Sequence, residues 1–502
     1  MGMVGALRIE GSQKTVGQTE VAAPYLTQPP LAVDLDGTLV KTDLLIESVL
    51  SLLRRQPLYL FVMPFWAARG MARLKNEVAQ RVELDLSLLP WRREVVEYLR
   101  QQRAEGRSLV LATGSNLGIA QQVADHLEIF DQVFATDETI NLCGKSKRDL
   151  LLSRFGDKGF DYAADGGGSA GNDVAVWASA RRAILVNPDP RVRSEAARVA
   201  VIERVFTDQG NGFAFRLKAL RPGQWLKNLL VFVPAVAAHR FDANTIEKSL
   251  LAFVAFGCAA SSGYLLNDLM DLDADRHHPL KRSRPFAAGD LSLSYALGMI
   301  PALLALSCVL AAWVSPLFTA VVLAYFAMSA AYTLRIKNVA ILDILFLAGL
   351  YTVRIAAGSV AIGVWLSHWL LAFSTFLFFS LALVKRYAEL VIMRRAFADT
   401  SRVRAYEVSD GELLASMGIA SGYLAVVVLA LYIASDKAQA FYSNLAVLWI
   451  LCPLMLYWIS HVWLTAHRGS MLDDPVVFAR SNWTSVILIL LMLTTALVAA
   501  LT

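Results

Sequence analysis

Two carboxylates placed two residues apart at the end of a short apolar run can divide the work of phosphoryl chemistry. The chain has this pattern in Leu31-Ala-Val-Asp34-Leu-Asp36-Gly37-Thr38. Strand side chains alternate with period two, so Asp34 and Asp36 are expected to point into one pocket. Gly37 lets the backbone turn sharply after them. Such a pair can hold Mg2+, with one carboxylate attacking phosphorus and the other protonating the leaving oxygen and then activating water.

A second string, Asn267-Asp268-Leu-Met-Asp271-Leu-Asp273-Ala-Asp275-Arg276, is followed by Lys281 and Arg284. On a helix, positions i, i+4 and i+8 share a face. Asn267, Asp271 and Asp275 are therefore expected to converge as metal ligands, with Asp268 to one side and Asp273 pointing away. Oxygen donors on one face suit Mg2+ bridging a diphosphate. Arg276, Lys281 and Arg284 are expected to bind the phosphate oxygens that the metal leaves exposed.

The elements around these strings differ in kind. At 502 residues and 56% apolar, the chain is too long for one ordinary soluble domain. Residues 1–26 read as a loose polar tail and 27–210 as a mixed soluble sequence. From 211 to 502 the chain becomes apolar runs separated by short polar loops. About nine runs approach the length of a bilayer span, near 226–239, 249–267, 291–313, 317–334, 339–361, 365–384, 412–434, 440–466 and 482–502. With no signal peptide recognised, the N-terminal part is expected in the cytoplasm. Alternate loops then carry most basic residues (Arg276 to Arg284, Arg335, Lys337, Lys385, Arg386, Arg394, Arg395, Arg402, Arg404, Arg468, Arg480), while the opposite loops carry Arg240, Lys248 and Lys437. That asymmetry follows the positive-inside rule, so the net charge of +5 reads as topology and not as nucleic-acid binding. The four cysteines form no CxxC pair and suggest neither a disulfide framework nor a zinc site.

The Asp34-x-Asp36-Gly-Thr string resembles the haloacid dehalogenase superfamily of phosphatases, over about residues 30–205. The resemblance implies a Rossmann-like α/β fold with a helical cap between Asp43 and Arg103. It implies Asp34 as nucleophile, Asp36 as general acid and base, and Thr113 and Lys147 as phosphate-binding residues, with Lys145 the second choice for the lysine. The family's last two acids correspond to Asp165 and Asp173, which here stand eight apart around a glycine-rich insertion. That spacing leaves two outcomes open: a loop that returns Asp173 to the metal, or a weakened metal site. Within the cap, Pro57–Trp66 is apolar and too short to span; it reads as a surface touching the membrane or as a buried cap helix.

The second string resembles the motif of the UbiA-type prenyltransferase superfamily, over about residues 215–502, and implies an all-α polytopic membrane bundle of about nine helices. A second aspartate-rich motif of that kind is missing. The strings around Arg221–Asn228, Tyr332–Asp343, Arg354, Gly358 and Lys385–Leu390 are similar instead to the decaprenyl-phosphate phosphoribosyltransferase branch. That branch implies phosphoribosyl pyrophosphate and a polyprenyl phosphate as substrates, Mg2+ as cofactor, and a bacterial-type inner (plasma) membrane. Lys227, Tyr332, Lys337, Arg354, Lys385 and Arg386 would bind the two anions, Asp271 and Asp343 would act in catalysis, and Asp473 and Asp474 are weaker candidates. The N-terminal domain would then remove the 5-phosphate from the lipid product. The alternative is an aromatic, quinone-pathway prenyltransferase with a regulatory phosphatase-like domain.

Overall fold

The computed structural model describes residues 28–167, 172–208, 212–278, 281–396, 402–403, 405–471 and 475–501. The expected tail, the insertion residues Gly168–Gly171, Arg404 and the pair Asp473 and Asp474 lie outside the described residues. The chain divides into two compact units: one comprises the chain up to Leu39 and Arg92–Thr207, the other Val40–Trp91 and Asp208 onward.

The first unit is built on six parallel strands: β1 (Leu31–Val33), β2 (Leu109–Asn116), β3 (Gln132–Thr136), β4 (Asp161–Ala164), β5 (Arg182–Val186) and β6 (Val201–Phe206). Their order is β3-β2-β1-β4-β5-β6. β1, Tyr162–Ala164 of β4 and Ala183–Val186 of β5 are buried and read as short unbroken apolar runs, as strands covered on both faces do. The order reverses between β1 and β4, and crevices of doubly wound sheets open beyond the strand ends at such a point. Asp34 follows β1 there and Asp165 follows β4.

The helical cap expected within the phosphatase domain belongs to the second unit. Its helix Leu44–Arg55 opens on Asp43, whose carboxylate accepts from the Ile46 N–H at 3.0 Å. Glu47 on this helix is buried and accepts from Arg276 at 2.6 and 2.9 Å. Leu50 joins the cluster formed by Leu265, Leu269, Met270 and Leu272. The buried ion pair and the shared apolar cluster explain why the segment groups with the membrane helices.

Among the described residues, seven helices are long and apolar enough to cross a membrane: Ala243–Met270, Leu293–Val314, Pro316–Leu334, Leu342–Ile362, Val408–Ile433, Leu445–His467 and Trp483–Leu501. The expected nine runs differ from helices of this kind at 226–239. The run 226–239 is 3-10 turns over Pro222–Phe232 passing into the short helix Val233–Ala237, where Pro234 withholds a backbone donor. The run 365–384 falls in the first half of a 29-residue helix, His368–Ala396, whose second half carries Lys385, Arg386 and Glu389. The 3-10 stretch packs closely on Leu342–Ile362, where a Cβ at Gly358 would meet the Val231 carbonyl oxygen at 2.1 Å.

Candidate active sites

In the first unit, Asp34 lies at the sheet's reversal and accepts an ion pair from Lys147 Nζ at 2.9 Å. Lys147 is on the first turn of helix Lys145–Phe155 and buried, whereas Lys145 is exposed. Lys147 also donates to the Tyr162 hydroxyl at 2.9 Å, which donates to Asp173 Oδ1 at 2.8 Å. Asp173 opens helix Asn172–Ser179. Oxygens of Asp34, Asp165 and Asp173 lie within 4.8 Å of one another, so the long spacing still returns Asp173 to Asp34. The Asp165 N–H donates to Thr38 Oγ1 at 3.0 Å, and Gly37 (φ +72°) admits no side chain, since a Cβ would meet Asp165 Oδ2 at 2.0 Å.

Electrostatics tie the three acids together. Burial pushes Asp165 up to about 7, against the Gly167 N–H that favours its charge, and the Asp34 and Asp173 carboxylates add to the rise. Asp173 is raised to about 6 by burial, with Lys147 opposing. Burial would depress Lys147, but Asp34 and Asp173 overcome it and hold the ammonium above its usual range. Three clustered carboxylates beside one lysine leave negative charge uncompensated, which is the donor set a hard divalent cation takes. Mg2+ fits these residues.

Two expectations here need correction. Asp36 is not in the three-acid group: its Oδ2 accepts from the Ser115 hydroxyl at 2.5 Å. Thr113 is fully buried, and its Oγ1 accepts from the Ser115 N–H at 3.0 Å. The Ser115 hydroxyl is thus the β2 group that bonds Asp36. Period-two alternation along β2, which places Ser115 on the same side as Thr113, would have flagged it.

The second unit contains a cavity of about 310 Å³, lined by residues of the 3-10 stretch and of helices Ala243–Met270, Pro316–Leu334, Leu342–Ile362 and His368–Ala396. Its charged lining comprises six basic side chains (Arg221, Lys227, Lys281, Arg284, Arg354 and Lys385) and two acidic ones (Asp271 and Glu389). Arg354 donates to Asn228 Oδ1 at 2.9 Å and to the Tyr325 hydroxyl at 2.7 Å. Lys227 Nζ stands 5.4 Å from the centre of the Tyr351 ring. Lys337 pairs with Asp271 from the helix junction opposite.

The expected three-ligand face does not form. The long helix ends at Met270, Asp271 takes a non-helical conformation, and a new helix runs Leu272–His277. The i to i−4 bonds still run on, from the Asp271 N–H to the Asn267 carbonyl at 2.9 Å and from the Asp275 N–H to the Asp271 carbonyl at 2.8 Å, and Arg284 draws the Asp275 side chain aside. Asn267 and Asp271 stay together on the cavity wall, with Asn267 Nδ2 donating to Asp271 Oδ2 at 3.0 Å. Asp268 and Asp275 form a separate cluster: Arg284 Nη1 donates to Asp275 Oδ2 at 2.5 Å and to Asp268 Oδ1 at 3.4 Å, and Arg221 also pairs with Asp268. Two chain oxygens still fit Mg2+, which commonly takes one or two protein oxygens and completes its shell with water and substrate phosphate.

Arg276, Asp343 and Arg386 are also placed away from the expected site. Arg276 is spent on Glu47 and the Ala287 carbonyl. Asp343 is fully buried, accepting from Arg386 Nε at 2.6 Å and from the Tyr406 hydroxyl. Arg386 also donates to Glu389 and to the Tyr332 hydroxyl, each at 2.6 Å, and so fixes two cavity-lining side chains without lining the cavity itself. Tyr264, Tyr325 and Tyr351 line the cavity and were not singled out in the sequence, although phenols inside apolar spans are a usable signal.

The sequence model of the UbiA prenyltransferase family matches residues 228–501. The chain belongs to the UbiA prenyltransferase family. The uncharacterized protein y4nM of Sinorhizobium fredii is 33% identical over 460 residues, covering 91% of this chain and 88% of that one, so the likeness runs through both units. The decaprenyl-phosphate phosphoribosyltransferase of Corynebacterium glutamicum is 41% identical over 187 residues, 36% of this chain and 56% of that enzyme. The chain thus matches little more than half the length of that relative. A solved UbiA homolog from Archaeoglobus fulgidus bound to GPP and Mg2+ superposes with a TM-score of 0.45 at 17% identity, over 56% of this chain and 99% of the other. The family match and the seven apolar helices make this UbiA-type unit a multi-pass membrane domain, joined to an α/β unit that gathers three carboxylates.

Proposed function

We propose that the UbiA-type unit transfers 5-phosphoribosyl from phosphoribosyl pyrophosphate to a polyprenyl phosphate, and that the N-terminal unit then removes the 5-phosphate. The observation that carries the reading is the charge of the membrane cavity, where six cations face two acids. Two phosphorylated substrates need such a surplus, and a single prenyl diphosphate with two metal-binding acid clusters does not. The likeness to the phosphoribosyltransferase of Corynebacterium glutamicum supports the same donor.

The steps follow from the residues. Asn267 and Asp271, and separately Asp34, Asp165 and Asp173, would hold Mg2+, which would supply positive charge to phosphate oxygens. Lys227, Lys281, Lys385 and Arg354 hold the anionic ends of donor and acceptor. The anomeric carbon–oxygen bond breaks, its electrons leave with diphosphate, and an oxygen of the lipid phosphate forms the new bond. The nucleophile is already an anion, so the step needs no base. In the N-terminal unit Asp34, paired with Lys147, attacks phosphorus. Asp36, oriented by Ser115, gives its proton to the departing ribose oxygen and later takes one from the water that opens the aspartyl phosphate. Covalent linkage raises the effective concentration of the second centre for the lipid product.

The test is incubation of purified protein with phosphoribosyl pyrophosphate, polyprenyl phosphate and Mg2+, with mass spectrometry of the lipid. Addition of ribose to the lipid phosphate is the expected product. An unchanged lipid, or prenylation of an aromatic acceptor supplied beside it, overturns the reading.

A further inference from the structure

The segment Val40–Trp91 carries an apolar surface that neither centre uses. Its helix Tyr59–Ala68 reads Tyr-Leu-Phe-Val-Met-Pro-Phe-Trp-Ala-Ala, with no charged residue and no buried one. Tyr59, Met63 and Trp66 recur at helical spacing and pack on Leu52, Val78 and Val82 of the same segment. The other faces are open: Leu58 is 76% exposed, and Phe61 and Phe65 are each 70% exposed. Arg55 precedes the helix and Arg69 is its C-cap.

The same unit says what meets this surface. The preceding helix, Leu44–Arg55, is fastened to the end of the span Ala243–Met270 through Glu47 and Arg276, through Leu50 against Leu269 and Met270, and through Arg54, whose Nη2 lies 2.9 Å from Asp273 Oδ2. Asp273 stands just past Met270, the last residue of that span, so Arg54 is held at the end of the span. The five residues from Arg54 to Tyr59 reach at most about 17 Å. The headgroup zone on each side of a hydrocarbon core of about 30 Å is about 5–8 Å deep, so the start of the apolar helix is tethered within reach of it. A helix of this length covers about 15 Å and cannot span. An uncharged apolar helix flanked by cations suits the plane of the interface, where the cations meet anionic headgroups.

We infer that Tyr59–Ala68 lies in the bilayer interface beside the Asp271–Arg284 segment, with Leu58, Phe61 and Phe65 among the acyl chains. The full chain, with Cys143, Cys258, Cys308 and Cys452 replaced by Ala, is spin-labelled through Phe61→Cys, Phe65→Cys or, at the exposed Glu83 of the same segment, Glu83→Cys, and placed in nanodiscs of phosphatidylethanolamine and phosphatidylglycerol. Collisions with oxygen exceeding those with a water-soluble nickel chelate at 61 and 65, and the reverse at 83, are the expected result. Nickel collisions at 61 and 65 equal to those at 83 overturn the inference in favour of open solvent. Low collisions with both reagents overturn it in favour of a covering protein. The unmodified chain gives an independent reading: an acyl-chain diazirine lipid is expected to cross-link to peptides containing Phe61 and Phe65, and their absence while the spans are labelled overturns the inference.

Discussion

Metal binding to the N-terminal centre is expected to expel protons in a strongly pH-dependent way. Asp165 is raised to about 7 and Asp173 to about 6 by burial and by their neighbouring carboxylates. A metal takes the deprotonated forms. At pH 6 the two groups carry about 0.9 and 0.5 proton before binding, and at pH 8 together only about 0.1. Titration of the full chain with Mg2+ should therefore release about 1.4 protons at pH 6 and almost none at pH 8. Calorimetry in buffers of different ionisation enthalpy measures this directly, with Asp271→Ala used to silence the membrane cavity. Asp165→Asn should reduce the release at pH 6 to about 0.5 or less. The sign for stability follows. An acid whose folded pKa lies above its unfolded value favours folding when protonated, so the metal-free protein should lose stability as pH rises from about 4 through 7, and Mg2+ should restore it. Equal proton release at pH 6 and pH 8 would refute the three-carboxylate centre.

Further variants separate the roles. Asp271→Ala, which removes the acid on the cavity wall and frees Lys337, should lower transfer at least about a hundredfold at saturating Mg2+; near-normal transfer would remove Asp271 from the site. Asp34→Asn should leave transfer intact, so that lipid-linked ribose 5-phosphate accumulates, and continued formation of the dephosphorylated lipid would count against Asp34 as nucleophile. Asp343→Asn should cost about 1–3 kcal/mol of stability, because it removes one of the two carboxylates paired with the buried Arg386; unchanged thermal melting with lost transfer would return Asp343 to the chemistry. Glu47→Ala should strand Arg276 at a cost of about 3–5 kcal/mol and open Val40–Trp91 to proteolysis, and an unchanged digestion pattern would show that the pair does not hold the segment.

The strings that carry chemistry were legible where their local geometry is self-contained. Asp34 at a strand end, Lys147 on the first turn of the following helix, and Asn267 with Asp271 one turn apart are all placed by near neighbours in sequence. The errors came from tertiary choices. Helical period alone aligned Asp275 with Asn267, but Arg284, arriving from beyond the loop, collects Asp275 and Asp268 instead. Arg386 and Asp343 looked like ligand groups because ionisable residues near spans usually are. Two such residues far apart in sequence can equally satisfy each other, and only the packing of Leu342–Ile362 on His368–Ala396, with Tyr406 joining Asp343, reveals that they do. The same holds for the inserted segment. Its helical pattern was readable, but its allegiance was not, because it rests on Glu47 finding Arg276 across more than two hundred residues. That pair has a consequence for the membrane motif itself. Arg276 ends the acidic string yet cannot hold substrate while Glu47 occupies its guanidinium. The short helix bearing Asp275 is therefore held in place from a segment that the linear sequence places inside the other domain.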